Sequence, residues 1–181
     1  MNKSIIINSK DIINTRDNLS KNISSYWKTI ERMNLLSKKE AEKFRTMDLK
    51  AMYNQITQMA INRVKSKLLL NAINSNIKDF DMKNIKDTHY YTIYMLNELN
   101  EQKTHLGLLL SKHCINPSAK AKAGKASVKS EIFTHAKLTS LIAKIDTQIE
   151  VYKDKIDKFN NTASITVTLD DADSYTDTIA A

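Results

Sequence analysis

The sequence predicts an all-α fold, a bundle of about four long helices with coiled-coil-like packing, plus an extended N-terminal arm and a short β-like C-terminal tail. Two observations carry this expectation. Between Leu138 and Phe159 the residues Leu138, Ile142, Ile145, Ile149, Tyr152, Ile156 and Phe159 alternate steps of four and three, the a/d seam of a packed helix that needs partners. The chain of 181 residues holds two glycines, Gly107 and Gly124, and one proline, Pro117, so breakers are scarce while strong helix formers are plentiful.

The length suits one hydrophobic core. Residues 1–10 read as an arm around Ile5, Ile6 and Ile7, residues 11–160 as the bundle with a basic linker over 116–128, and residues 161–181 as an acidic tail. A first helix is expected from Ser9 to Leu36 on the stripe Ile12, Leu19, Ile23, Tyr26, Ile30 and Met33, widened by Trp27. Ser37 and Glu40 fit a capping box, which starts a second helix near Lys38. Its stripe runs through Phe44, Met52, Ile56, Val64, Leu68 and Ala72, then fades in the Asn-rich segment 71–76. The junction at Leu36 permits either an antiparallel hairpin or a bent rod.

Asp87 is the expected N-cap of a third helix, Thr88 to His113, with Tyr91, Met95, Leu99, Leu106, Leu109 and Leu110 on its stripe and Gly107 allowing a close helix crossing. The fourth helix is expected to begin by Lys129. Traced back towards that start, the strict seam lands on His135 and Glu131, whereas the apolar residues are Ile132, Phe133 and Ala136. That loss of register reads as a stutter.

The formal net charge is +8, from 28 Lys and Arg against 20 Asp and Glu, which suits nucleic acid, an anionic membrane or an acidic protein without choosing among them. Lys112 to Lys144 holds seven lysines against one glutamate, while residues 160–181 hold four aspartates and no base. Nucleic-acid or other anion contact is expected at Lys120, Lys122, Lys125 and Lys129 of the linker region and at the patch Arg63, Lys65 and Lys67; for the linker, contact with an acidic tail of the same or a neighbouring copy is the second reading and a solvated segment the bland one. Protein contact is assigned to the seam residues above and to Ile165, Val167 and Leu169, whose alternation in SITVTL reads as a strand in need of an edge.

Catalytic chemistry finds little support. Cys114 is the one cysteine and cannot form an internal disulfide. Glu101 with His105 and Glu131 with His135 place a carboxylate and an imidazole on one helical face each, but their spacing departs from Glu-x-x-His and suits surface ion pairs. Residues 79–90 fail as a calcium loop, since the required glycine is missing and Tyr90 stands where the bidentate glutamate belongs. Tyr90, Tyr91 and Tyr94 offer aromatic planes for stacking nucleobases, although such spacing is more often a packed face.

No phosphate-binding loop, dinucleotide fingerprint or nucleophile elbow occurs, so no catalytic residue, metal, cofactor or small-molecule substrate is assigned. The Ile5–Ile7 run is too short for a signal-peptide core and no run approaches a membrane span, so a cytoplasmic or virion location is expected. The reading is a non-enzymatic structural or interaction protein of a larger assembly, a viral or phage particle included, with protein partners or further copies of itself. The alternative is a nucleic-acid-binding accessory protein that uses the 112–144 region.

Overall fold

The computed structural model describes residues 6–34, 48–77, 80–115 and 133–164, with the backbone alone for 113–115. Four long helices make up its regular structure: α1 (Ser9–Met33), α2 (Leu49–Asn74), α3 (His89–Ile115) and α4 (His135–Thr162), with a 3-10 turn at Ile85–Asp87 leading into α3. No strand occurs among the described residues. The all-helical class is thus as predicted, while the Ser37–Glu40 capping box, the whole basic linker over 116–128 and the residues Ile165, Val167 and Leu169 lie outside the described residues.

Each helix opens on a side chain that accepts from an otherwise orphaned amide of the first turn. Asn8 receives Asp11 N and Asp48 receives Ala51 N, each at 2.9 Å, while Thr88 receives Tyr91 N and Thr134 receives Lys137 N, each at 3.2 Å. These caps move three expected boundaries. The second helix begins at Leu49 and not near Lys38, because Asp48 in an extended conformation caps it there. Thr88, not Asp87, caps α3, because the buried Ile85 holds Asp87 inside the 3-10 turn. α4 starts at His135 rather than near Lys129, so the loss of register there is a helix N-terminus and not a stutter.

At its other end α2 stops on Asn76, whose positive φ of 53° is a left-handed conformation that asparagine tolerates. Ile77 N returns to Ala72 O and Asn76 N to Ile73 O, both at 2.9 Å, the paired bonds of a Schellman ending. The Asn-rich fade of the stripe is the sequence trace of this stop.

Cross-helix contacts fix the directions. Trp27 meets Tyr53 and Arg63 reaches Ser20, so α1 and α2 are antiparallel, which decides for the hairpin over the bent rod. Arg63 meets Glu98 and Asn71 meets Tyr94, so α3 runs against α2; His89 stacks on Phe159 and Lys103 meets Asp146, so α4 runs against α3. The bundle is therefore up-down-up-down, with α1 packed closely on α2 and α3 on α4.

The main core lies towards one end, which we call the closed end. There Ile23, Trp27 and Ile30 of α1 meet Ile56 of α2, Leu106 and Leu109 of α3, and Phe133, Leu138 and Ile145 at the start of α4. Trp27, at 1% exposure, is its largest member: it stacks on His105 with 4.6 Å between centroids and meets Tyr53 edge-on at 5.9 Å. A clasp ties this end together. The buried Asn34 side chain donates to Phe133 O at 3.1 Å and accepts from Phe133 N at 3.0 Å, pairing with the backbone as a neighbouring strand would. Gly107 does not serve a close crossing, since a Cβ built there would meet nothing within 4 Å.

Candidate interaction surfaces

Between the main core and the opposite end, three helices are joined through charge. Arg63 of α2 is buried and donates from Nε to both carboxylate oxygens of Glu98, at 3.0 and 3.1 Å, and from Nη2 to Glu98 and to Glu101. Lys67 adds a bond to Glu98 Oε1 at 3.1 Å, and Arg63 Nη1 reaches Ser20 of α1 at 3.4 Å. Glu98, at 2% exposure, is thus a buried carboxylate held by two cations. Burial opposes the charge on Arg63, but hydrogen bonds and attraction from Glu98 and Glu101 outweigh it and hold its pKa above the ordinary value.

This network gives two of the basic-patch residues a task inside the fold. Arg63 is committed to carboxylates and Lys67 is half-buried against Glu98 and the Tyr94 ring, 5.5 Å from its centroid; Lys65, partly exposed, is the remaining member of that patch. Lys120, Lys122, Lys125 and Lys129 lie outside the described residues. The tyrosine cluster also divides: Tyr91 is buried, Tyr94 accepts from Asn71 at 2.6 Å, and Tyr90 is 58% exposed. Of the two Glu-x-x-x-His pairs, Glu101 and His105 do not act as a pair. His105 Nδ1 meets Glu31 of α1 at 2.9 Å while Glu101 faces Arg63, and Glu131 is outside the described residues. No group of three His, Cys, Asp or Glu suited to a metal ion occurs among the described residues.

The seam of α4 serves the chain's own core along its first half. Leu138, Ile145 and Ile149 are buried against the other helices, and Ile142 is partly covered. Towards the C-terminus cover thins: Tyr152 and Ile156 are half-buried and Phe159 is 45% exposed. This thinning belongs to a wider pattern. Of the ten large apolar side chains most exposed among the described residues, eight lie at the end of the bundle opposite Trp27: Ile6, Ile7 and Ile13 where α1 begins, Ile73 and Ile77 where α2 stops, Met82 before the 3-10 turn, Tyr90 at the start of α3 and Phe159 near the end of α4. We call this the open end. Here His89 stacks on Phe159 at 3.8 Å, and Tyr90 on Tyr94 at 6.4 Å, so part of the patch is an ordered aromatic cluster. Sequence periodicity points to faces along a helix and not to ends of a bundle, so this grouping emerges only once the helix directions are known.

A second surface runs along the side. α2 and α4 stand apart over α3, leaving a half-open groove of about 540 Å³. Met95 and Leu99 of α3 form its floor, Ile61 of α2 lies on one wall, and Leu141, Ile145 and Val151 of α4 lie on the other. Its charged lining residues are Lys144 and Lys155. Within it the Tyr91 and Tyr152 hydroxyls interact, and burial raises both phenols above their ordinary pKa.

No protein-family model matches the chain, and none of the curated proteins or solved structures compared with it matches either. The described helices include none long and apolar enough to cross a membrane.

Proposed function

We propose that the protein is a non-enzymatic structural or interaction protein of a larger assembly, a viral or phage particle being the setting we favour, and that it engages its neighbours through the open end of the bundle. The observation that carries this reading is the gathering of eight of the ten most exposed large apolar side chains at that end. Single exposed apolar residues are ordinary on any surface, but their concentration at one end of a four-helix bundle is the signature of a contact surface. Most of these side chains are already about half covered, so covering the rest contributes roughly 1 kcal/mol each, and it is the group of eight together that offsets the cost of association. The fit with a structural role also comes from the interior, where the Arg63–Glu98 network and the Asn34–Phe133 clasp lock the helices together. The test is the native size of the full chain extracted from its source. The proposal expects a particle or complex well above the mass of one chain, and a monomer would overturn it.

A further inference from the structure

The side groove is independent of the open end and has its own chemistry. Its lining follows helical spacing on every wall: Tyr53, Thr57 and Ile61 on α2, then Leu141, Ile145, Gln148, Tyr152 and Lys155 on α4, over Met95 and Leu99 of α3. From Leu141 to Lys155 this wall extends about 21 Å at 1.5 Å per residue, the length of roughly four helical turns. The groove is therefore straight, parallel to the bundle axis and shaped by the ridges of two helices, the form that receives the ridge of a third.

Charge narrows the choice of occupant. The lining contains two lysines and no carboxylate, and neither lysine has an ion-pair partner among the described residues. Lys144 is exposed beside Ile145, and Lys155, also exposed, places its Nζ over the Tyr152 ring at 5.7 Å. They are eleven residues apart, three turns along one helix, so carboxylates at a matching interval on a parallel or antiparallel partner meet both. The open top of the groove argues against an acyl chain, which needs cover on all sides, and suits a ligand with one apolar and one solvated face.

We propose that the α2–α4 groove is a docking site for an amphipathic helix of a partner protein, with an apolar ridge seated on Ile61, Leu141 and Val151 and carboxylates paired with Lys144 and Lys155.

The experiment titrates the full chain with two fluorescent synthetic helices of about 15 residues that share one leucine stripe. One carries glutamates beside the stripe and the other carries lysines at the same positions. The acidic peptide should bind at least about tenfold tighter at low salt, and K144E with K155E should reverse that order. Val151, half exposed and outside the buried core, allows a second variant: V151D should weaken the acidic peptide by about tenfold or more with the circular dichroism and melting curve unchanged. Equal binding of the two peptides, no binding at ~100 µM, or acidic-peptide binding indifferent to V151D would each overturn the proposal. So would concentration-dependent dimerisation that V151D abolishes, since a second copy would then be the occupant.

Discussion

The two ends of the bundle are built from the same kinds of residue and put them to opposite use. At the closed end Trp27, Ile30, Leu106, Phe133 and Leu138 are all essentially inaccessible, and the Asn34–Phe133 clasp joins the exit of α1 to the entrance of α4. At the open end Ile73 of α2, Ile77 just beyond it, Tyr90 of α3 and Phe159 of α4 each keep more than a third of their surface in water. The difference teaches that apolar content does not decide what a helix end does. What decides is whether side chains of all four helices share one core there, as they do around Trp27, the only tryptophan in the chain. In this account the closed end supplies stability and the open end supplies contacts.

The largest expected effect follows from emptying the closed end. Trp27→Ala removes an indole packed between His105 and Tyr53 and should cost about 3–5 kcal/mol, read from urea unfolding of the purified chain. A cost below ~1 kcal/mol would mean that the core is not organised around this residue. The indole Nε1 is buried without a hydrogen-bond partner among the described residues, so the loss should come from packing and not from a broken bond.

Next comes the charge network that separates the two ends. Arg63→Ala leaves Glu98 buried with Lys67 as its remaining cation and should cost about 3 kcal/mol. Replacing both partners by apolar residues, Arg63→Met with Glu98→Leu, should recover most of that loss, since the cost lies in the orphaned charge. If the double variant is as unstable as the single one, the network holds the helices in a way that burial of the charge does not explain.

A smaller effect appears at alkaline pH. Burial raises the pKa of Tyr53, Tyr91 and Tyr152 above the ordinary value of 10.0, so at high pH the folded chain binds protons that the unfolded chain has released. Their contribution is complete below pH 10 and is lost as pH rises through the folded-state values. Stability should therefore fall above about pH 10, in step with tyrosinate absorbance, and Tyr91→Phe with Tyr152→Phe should flatten part of the fall. An unchanged slope in that variant would place these phenols in water.

Much of the fold was legible in the sequence and little of its use was. The α1 stripe at Ile12, Ile23, Ile30 and Met33 and the α3 stripe at Tyr91, Met95, Leu99, Leu106 and Leu109 are buried as their spacing predicts, because a period of 3.6 records which face meets the core. The cap of α3 shifts by one residue from its expected place, since Asp87 and Thr88 are both good N-caps and only the buried Ile85 decides between them. The seam of α4 was read as one continuous face, but spacing does not record where the partner helices end, so the exposure of Phe159 was invisible. Arg63 and Lys67 looked like a surface patch because their carboxylates stand 31 or more positions further along the chain, beyond the reach of any local pattern. The groove required the separation of α2 from α4, which no single helix encodes.

The most direct measurement compares the native chain with one whose open end has been made polar. Substituting Ile73→Ser, Ile77→Ser, Met82→Ser and Tyr90→Ser together changes exposed side chains, so the melting temperature should move by only a few degrees. The unmodified protein, isolated from its source, should sediment as part of a larger complex, and the four-fold variant should sediment as a single folded chain. A variant that keeps its place in the complex, with the same sedimentation coefficient as the unmodified protein, would contradict the assignment of contacts to the open end.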